Sequence, residues 1–125
     1  QIDRYRNYFT YLYGLPMKLK DPGLSISDQV ERVEFYGRDA LKVKVSYDPE
    51  VGQDIWYFYM DPTSFALVAY QFYHDESAND GEYILLEEEL TAGGYRLPQN
   101  RTWYKNADNS VLGTDYLQKA ALIKP

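Results

Sequence analysis

Residues 41–48 read Leu41-Lys42-Val43-Lys44-Val45-Ser46-Tyr47-Asp48, a strict alternation of apolar and polar side chains. Successive side chains of a β-strand point to opposite faces of its sheet, so this pattern predicts a strand over 39–48 with one buried and one wet face. Weaker forms of the pattern predict further strands at residues 30–36, 54–61, 65–74, 82–90, 95–106 and 111–122. The chain is therefore expected to be mainly β.

The connections between these strands are short, and the longest of them is the segment 75–81. Parallel strands need crossover connections of about a dozen residues or more, whereas antiparallel strands need only tight turns. We therefore predict a sequential antiparallel meander of about seven strands that forms one large curved sheet.

The first segment of the chain has a helical period instead. Tyr8, Phe9 and Leu12 follow Tyr5 by three, four and seven residues. This spacing is typical of one face of a helix. This predicts a helix over 5–13 with Asp3 as its N-cap. Residues 16–24 are predicted to run extended and to turn at 21–23, which lets the helix fold back onto the concave face of the sheet.

Two of the predicted strands are apolar on both faces, at residues 55–60 and 65–70. Central strands that are covered on both sides have this composition. We expect the helix to cover one face. For the other face we expect a ligand, a partner or another part of the parent protein, and function is expected there.

Length and composition limit the classes of function. The chain has 125 residues, no cysteine and a net charge of −6. This length predicts a single domain over 1–125. The absence of cysteine excludes disulfides and thiolate catalysis. The negative charge and the scattered lysines argue against nucleic acid, and no cofactor is expected.

Candidate catalytic and metal-binding residues are few. His74 is the only histidine, and it stands beside Asp75 and Glu76 at the end of a predicted strand, where a solvated loop residue is favoured over a general base. We interpret the three glutamates 87–89 as part of a hydrated sheet edge and not as a functional pair of carboxylates. Residues 75–81 favour a hairpin turn over a calcium loop. We predict no enzymatic activity and no metal site.

Aromatic side chains are the most prominent feature of the composition, with fourteen tyrosines and two tryptophans, Trp56 and Trp103. They could line an apolar cavity with hydroxyl groups at its rim. They could instead form an open platform for sugar rings, or simply pack across the strands as part of the core. All three interpretations stay open on the residues alone.

Short motifs extend over most of the chain: Phe9, Leu15-Pro16, Lys18-Leu19, Asp21-Pro22-Gly23, the strand 43–47, Asp54 with Trp56, Asp61-Pro62-Thr63, and Gly93 to Leu97-Pro98. Together they resemble a family of uncharacterised exported bacterial proteins, chiefly from Bacteroidetes. That family is in turn similar to the lipoprotein-carrier superfamily (LolA/LolB-like). In that superfamily a curved antiparallel sheet forms a half-barrel, helices cover its open side, and the apolar cavity between them holds acyl chains.

The resemblance implies non-catalytic binding of a lipid, an acyl chain, another apolar small molecule or a lipid-modified protein in the periplasm or cell envelope. It also implies that residues 1–125 are the C-terminal part of a longer exported protein. Its signal sequence or lipid anchor is expected outside this chain, which would allow association with the membrane. The residues expected to bind the ligand are Tyr8, Phe9 and Leu12 from the helix and Trp56, Phe58, Tyr70 and Phe72 from the sheet. The alternatives are a glycan-binding module with an exposed aromatic platform and a structural or assembly domain.

Overall fold

The computed structural model of the protein describes residues 1–123, which contain one α-helix and seven β-strands. The elements are α1 (Ile2–Gly14), β1 (Leu24–Phe35), β2 (Arg38–Tyr47), β3 (Ile55–Met60), β4 (Leu67–Tyr73), β5 (Glu82–Ala92), β6 (Tyr95–Lys105) and β7 (Val111–Tyr116). Two 3₁₀ helices, Met17–Lys20 and Glu76–Ala78, lie in the connections.

The strands form one open sheet in the order β1-β2-β3-β4-β5-β6-β7, and each neighbouring pair is antiparallel. The predicted meander with an N-terminal helix is therefore confirmed. The bounds of β2 to β6 agree with the predicted bounds to within two residues at each end.

The bounds of the two edge strands differ from the prediction. β1 begins at Leu24 instead of residue 30, because a register shift between Ile26 and Val30 breaks the alternation on which the prediction relied. β7 ends at Tyr116 instead of residue 122. The ladder closes with the Leu117 N–H donating to the Gln99 carbonyl at 2.8 Å, and the neighbouring Pro98 has no N–H to extend it.

The N-terminal segment also needs two corrections. Asp3 is not the N-cap, because α1 already starts at Ile2 and Asp3 lies in its first turn, 3.2 Å from Arg6. Part of the segment predicted as extended is the 3₁₀ helix Met17–Lys20, in which the Leu19 N–H donates to the Pro16 carbonyl at 3.0 Å. The predicted turn at residues 21–23 is present.

The face of the sheet beneath α1, called here the helix face, carries the larger core. Leu12 and Leu15 are buried against a set of strand residues, namely Val45, Phe58, Tyr70, Ile84, Leu86 and Trp103. Burying side chains of this size contributes roughly 1.5–3 kcal/mol each. Residues 2–10 of the same helix are exposed. The helix is thus held on the sheet by its C-terminal half.

The opposite face of the sheet is partly covered by its own aromatic side chains. Phe35 stacks on the buried Tyr59 with ring centroids 3.8 Å apart. Tyr36, Tyr83 and Tyr104 form a second group, called here the tyrosine stack, with successive centroids 4.3 and 4.9 Å apart. Stacked rings bury apolar area against one another, so these strands shield part of the second apolar face themselves.

A buried hydrogen-bond network joins the middle of the sheet to the end of β6. The Tyr59 hydroxyl donates to Gln71 Oε1 at 2.8 Å, and Gln71 Nε2 donates to Asn106 Oδ1 at 2.8 Å. Asn106 Nδ2 donates to the carbonyls of Phe72 at 3.0 Å and Asp80 at 2.6 Å. The oxygen and the nitrogen of both amide side chains, Gln71 and Asn106, therefore have hydrogen-bond partners. These bonds fix the β4–β5 loop against the end of β6.

Replacing Asn106 with alanine is expected to lower the free energy of unfolding by about 2–3 kcal/mol, because Gln71 Nε2 loses its acceptor and two carbonyls lose a donor. Urea unfolding followed by circular dichroism measures this loss. Asn100→Ala in the same strand is the control, since no side-chain hydrogen bond joins Asn100 to residues 1–123. Equal losses for the two variants would contradict the prediction.

Candidate functional site

An open cleft of about 580 Å³ lies between the exposed half of α1 and the strands β6 and β7. Its walls are formed by Arg4, Tyr5, Tyr8, Phe9, Glu82, Trp103, Leu112, Gly113, Thr114 and Asp115. The cleft exists because α1 is anchored through Leu12 and Leu15, so its first turns overhang the end of the sheet without packing on it. A cleft of this volume falls within the roughly 300–1,000 Å³ of typical small-molecule sites.

The aromatic part of the wall is held by specific contacts. Tyr8 stacks on Trp103, with ring centroids 5.6 Å apart and an interplanar angle of 21°. Trp103 Nε1 donates to Asp115 Oδ2 at 2.9 Å, which fixes the indole across the β6–β7 pair. Phe9 meets Tyr8 edge to face at 5.2 Å. These rings form a preorganised apolar surface.

The register of β6 and β7 keeps this surface open. Gly113 is the cross-strand partner of Trp103, and a Cβ placed on Gly113 would meet no atom within 4 Å. Side chains at directly opposed positions normally touch each other. Since Gly113 has no side chain, the indole is not covered from its partner strand.

Two carboxylates and one guanidinium complete the wall. Burial raises the pKa of Glu82, and no hydrogen bond or ion pair joins its side chain to residues 1–123. Asp115 holds the Trp103 indole through Oδ2. Burial, and next the charge of Asp115, raise the pKa of the Tyr8 hydroxyl. Arg4 lies on the exposed face of the helix.

A buried arginine lies behind the cleft, in the core of the helix face. Arg101 is only 2% exposed, and its guanidinium lies 3.9 Å from the ring centroid of Tyr13. Its Nη1 donates to the Pro98 carbonyl at 3.3 Å, while its Nε and the Tyr70 hydroxyl make no hydrogen bond within the described chain. A buried cation costs free energy unless it is paired. Asp115, its cross-strand partner, is the nearest carboxylate by register.

The structure divides the predicted ligand-binding residues into two groups. Tyr8 and Phe9 line the cleft. The other five, Leu12, Trp56, Phe58, Tyr70 and Phe72, pack together beneath the C-terminal half of α1. Leu12, Phe58 and Tyr70 are fully buried there, so the region that the prediction treated as a cavity is filled by side chains. Their role in binding stays a prediction.

Sequence reasoning missed Glu82, Leu112, Thr114 and Asp115 as wall residues and named Trp103 only as an aromatic residue. One signal could have found part of the set. Trp103 and Arg101 are two residues apart in a predicted strand and therefore share a face. A hairpin register would then have brought Asp115 opposite Arg101.

The only histidine forms an exposed pair outside the cleft. His74 Nδ1 lies 2.5 Å from Asp54 Oδ1, and no other side chain of residues 1–123 hydrogen-bonds to the His74 ring. The carboxylates of the loop that follows accept hydrogen bonds from nearby backbone N–H groups. Asp80 Oδ1 accepts from the N–H groups of His74 and Asp75, and Asp75 Oδ1 accepts from Ser77.

Residues 1–123 contain no cluster of three or more His, Cys, Asp or Glu side chains that could hold a metal ion. None of their helices is both long enough and apolar enough to cross a membrane.

Residues 1–119 match the family described as "Family of unknown function (DUF6503)". The chain belongs to this family. No curated protein and no solved structure matches the sequence. The DUF6503 match covers α1, all seven strands and every residue of the cleft wall. The cleft is thus part of the DUF6503 domain itself.

The His74–Asp54 pair predicts a pH-dependent stability of this DUF6503 chain. The hydrogen bond to Asp54 raises the pKa of folded His74 above its unfolded value. The pair therefore stabilises the fold below about pH 6.5, and this contribution is lost as the pH rises through the folded pKa. Since the pair is exposed, we expect about 0.5 kcal/mol.

Urea unfolding of the wild type and Asp54→Asn at about pH 5.5 and about pH 8.5 tests this prediction. The difference between the two proteins should be larger at the lower pH. Asp28→Asn, an exposed site in β1, is the control. A difference that grows with pH would contradict the assignment.

Proposed function

We propose that this DUF6503 domain binds an apolar or amphipathic small molecule in the cleft without catalysing a reaction. One observation carries the proposal: the rings of Tyr5, Tyr8 and Phe9 remain 58%, 41% and 42% exposed around a cleft whose floor is fixed by the sheet. Exposed apolar rings that converge on a concave surface are typical of ligand sites.

The driving force would be burial of apolar area. Each methylene group transferred from water into the cleft contributes about 0.8 kcal/mol. The cost of ordering the site is reduced because Trp103 is already held by Asp115 and Tyr8 is already stacked on Trp103. An alkyl chain of moderate length would bind along the exposed half of α1, since Leu12, Phe58 and Tyr70 fill the space under its other half.

The resemblance to lipoprotein carriers supports a lipid or acyl chain as this ligand, and the bacterial cell envelope as its location. A helix packed over an antiparallel sheet is the arrangement that the resemblance implies, and the helix and sheet are both present here. The envelope location rests on the resemblance alone. A lipid-modified protein would offer the same acyl chain.

A glycan is the second candidate ligand, and the polar wall favours it. Thr114, Glu82 and Asp115 place hydrogen-bonding groups beside the rings of the cleft, as sugar recognition requires. The tyrosine stack does not provide the expected platform, because its rings lie face to face on one another. A structural or assembly domain stays the third prediction.

Native mass spectrometry of the protein from a bacterial host, followed by extraction and lipid analysis, tests the proposal directly. We expect a co-purified amphiphile that leaves on denaturation. The purified protein should also enhance the fluorescence of the neutral probe N-phenyl-1-naphthylamine. An empty protein that binds neither this probe nor soluble oligosaccharides would contradict a ligand-binding function.

A cleft-filling substitution locates the site. Leu112→Trp places an indole in the cleft and should weaken probe binding about tenfold, equivalent to roughly 1.4 kcal/mol. Val111→Trp is the matched control, because Val111 is also exposed but does not line the cleft. Unchanged binding by Leu112→Trp, or equal weakening by both variants, would place the ligand elsewhere.

A further inference from the structure

The wall of the cleft carries negative charge on its sheet side and positive charge on its helix side. Glu82 and Asp115 both line it from the sheet. The one cationic side chain among the wall residues is Arg4, which projects from an exposed position near the start of α1. The floor of the cleft therefore carries two carboxylates, and the balancing charge lies at its rim.

Both carboxylates have capacity for a further partner. The Glu82 side chain accepts no hydrogen bond from residues 1–123, although it is half-buried. Asp115 uses Oδ2 for the Trp103 indole, and its Oδ1 accepts nothing from the described residues. Partly desolvated carboxylates without partners are unfavourable, and a cation bound beside either of them would relieve that cost.

The buried Arg101 does not reverse this balance inside the cleft. At the Tyr8 hydroxyl, Asp115 and Glu82 raise the pKa by more than Arg101 lowers it. Arg101 is also covered by Tyr13 and does not line the cleft. Lys105 is the register partner of Glu82 in β6, and the charges of His74 and Lys105 lower the pKa of Glu82 by less than burial raises it. At the Tyr8 hydroxyl the two carboxylates therefore outweigh the buried guanidinium.

Aromatic rings strengthen the same preference. The faces of tyrosine, tryptophan and phenylalanine rings carry partial negative charge and attract cations within about 6 Å. Tyr5, Tyr8 and Phe9 present such rings to the space that Glu82 and Asp115 border. The combination of ring faces and carboxylates is suited to an ammonium group attached to an apolar body.

We propose that the cleft selects organic cations, namely amphiphiles that carry an amine or quaternary ammonium group next to an alkyl or aryl body. This inference rests on the proposed ligand-binding function and adds the charge of the ligand. The ammonium group would lie beside Glu82 or beside Asp115, and the apolar body would cover Tyr8 and Phe9.

Competition with one neutral probe tests the charge preference. N-phenyl-1-naphthylamine bound to the protein is displaced by decyltrimethylammonium, by decyl tetraethylene glycol ether or by decyl sulfate, each below its micelle concentration. The three competitors share the decyl chain and differ in head-group charge. We expect the ammonium compound to compete about tenfold better than the ether, and the sulfate to compete worse than the ether.

Charge-neutral variants assign the preference to the two carboxylates. Glu82→Gln and Asp115→Asn should each reduce the advantage of the ammonium compound over the ether about threefold to tenfold. Asparagine keeps an oxygen for the Trp103 indole, so the wall is retained. Glu50→Gln, at an exposed loop position outside the cleft, is the control and should have no effect.

The outcomes separate this inference from the proposed function. Equal competition by the three compounds would overturn the cation preference and leave ligand binding intact. Tightest binding of the sulfate would also overturn it, and would point to Arg4 as the anchor. A protein that does not bind the neutral probe at all would contradict both proposals. A tenfold advantage that both carboxylate variants remove would establish the inference.

Discussion

The constraint on which the whole structure depends is that a single open sheet has two apolar faces. Exposed apolar surface costs about 25 cal/mol per Å², so each face needs a cover. On one face the cover is the C-terminal half of α1, through Leu12 and Leu15. On the other it is supplied by stacked rings, Phe35 on Tyr59 and the tyrosine stack. Both covers come from the chain itself.

The cleft is a consequence of how the first cover is anchored. Because only the C-terminal half of α1 packs on the sheet, its first turns project past the core. Tyr8 makes the last contact with the sheet, on Trp103, and the space beyond it is the cleft. Gly113 leaves the other side of the indole uncovered. The same tryptophan therefore closes the core and forms the floor of the candidate site.

Electrostatics distinguish the cleft from the core behind it. The core contains the buried cation Arg101, which stacks on Tyr13 and makes one hydrogen bond to a carbonyl. The cleft contains two carboxylates on its wall. Asp115 belongs to both regions, because it is the register partner of Arg101 and also the acceptor of the Trp103 indole.

The sequence by itself was sufficient for the architecture, because its signals are local. Alternation at 41–48 and the short connections predict an antiparallel meander, and helical spacing singles out Tyr8 and Phe9. The predicted strand bounds were wrong where the alternation is broken, as in β1 at the register shift between Ile26 and Val30. A register shift is a property of two paired strands and leaves only a weak trace in either one.

Only the tertiary structure decided which aromatic residues fill the core and which line a cleft. Trp56, Phe58, Tyr70 and Phe72 have the same pattern as exposed wall residues, yet they lie beneath the anchored half of α1. Trp103, Glu82 and Asp115 come from three different strands and converge through the register of β5, β6 and β7. Burial and charge compensation depend on such distant neighbours, and periodicity along one strand cannot report them.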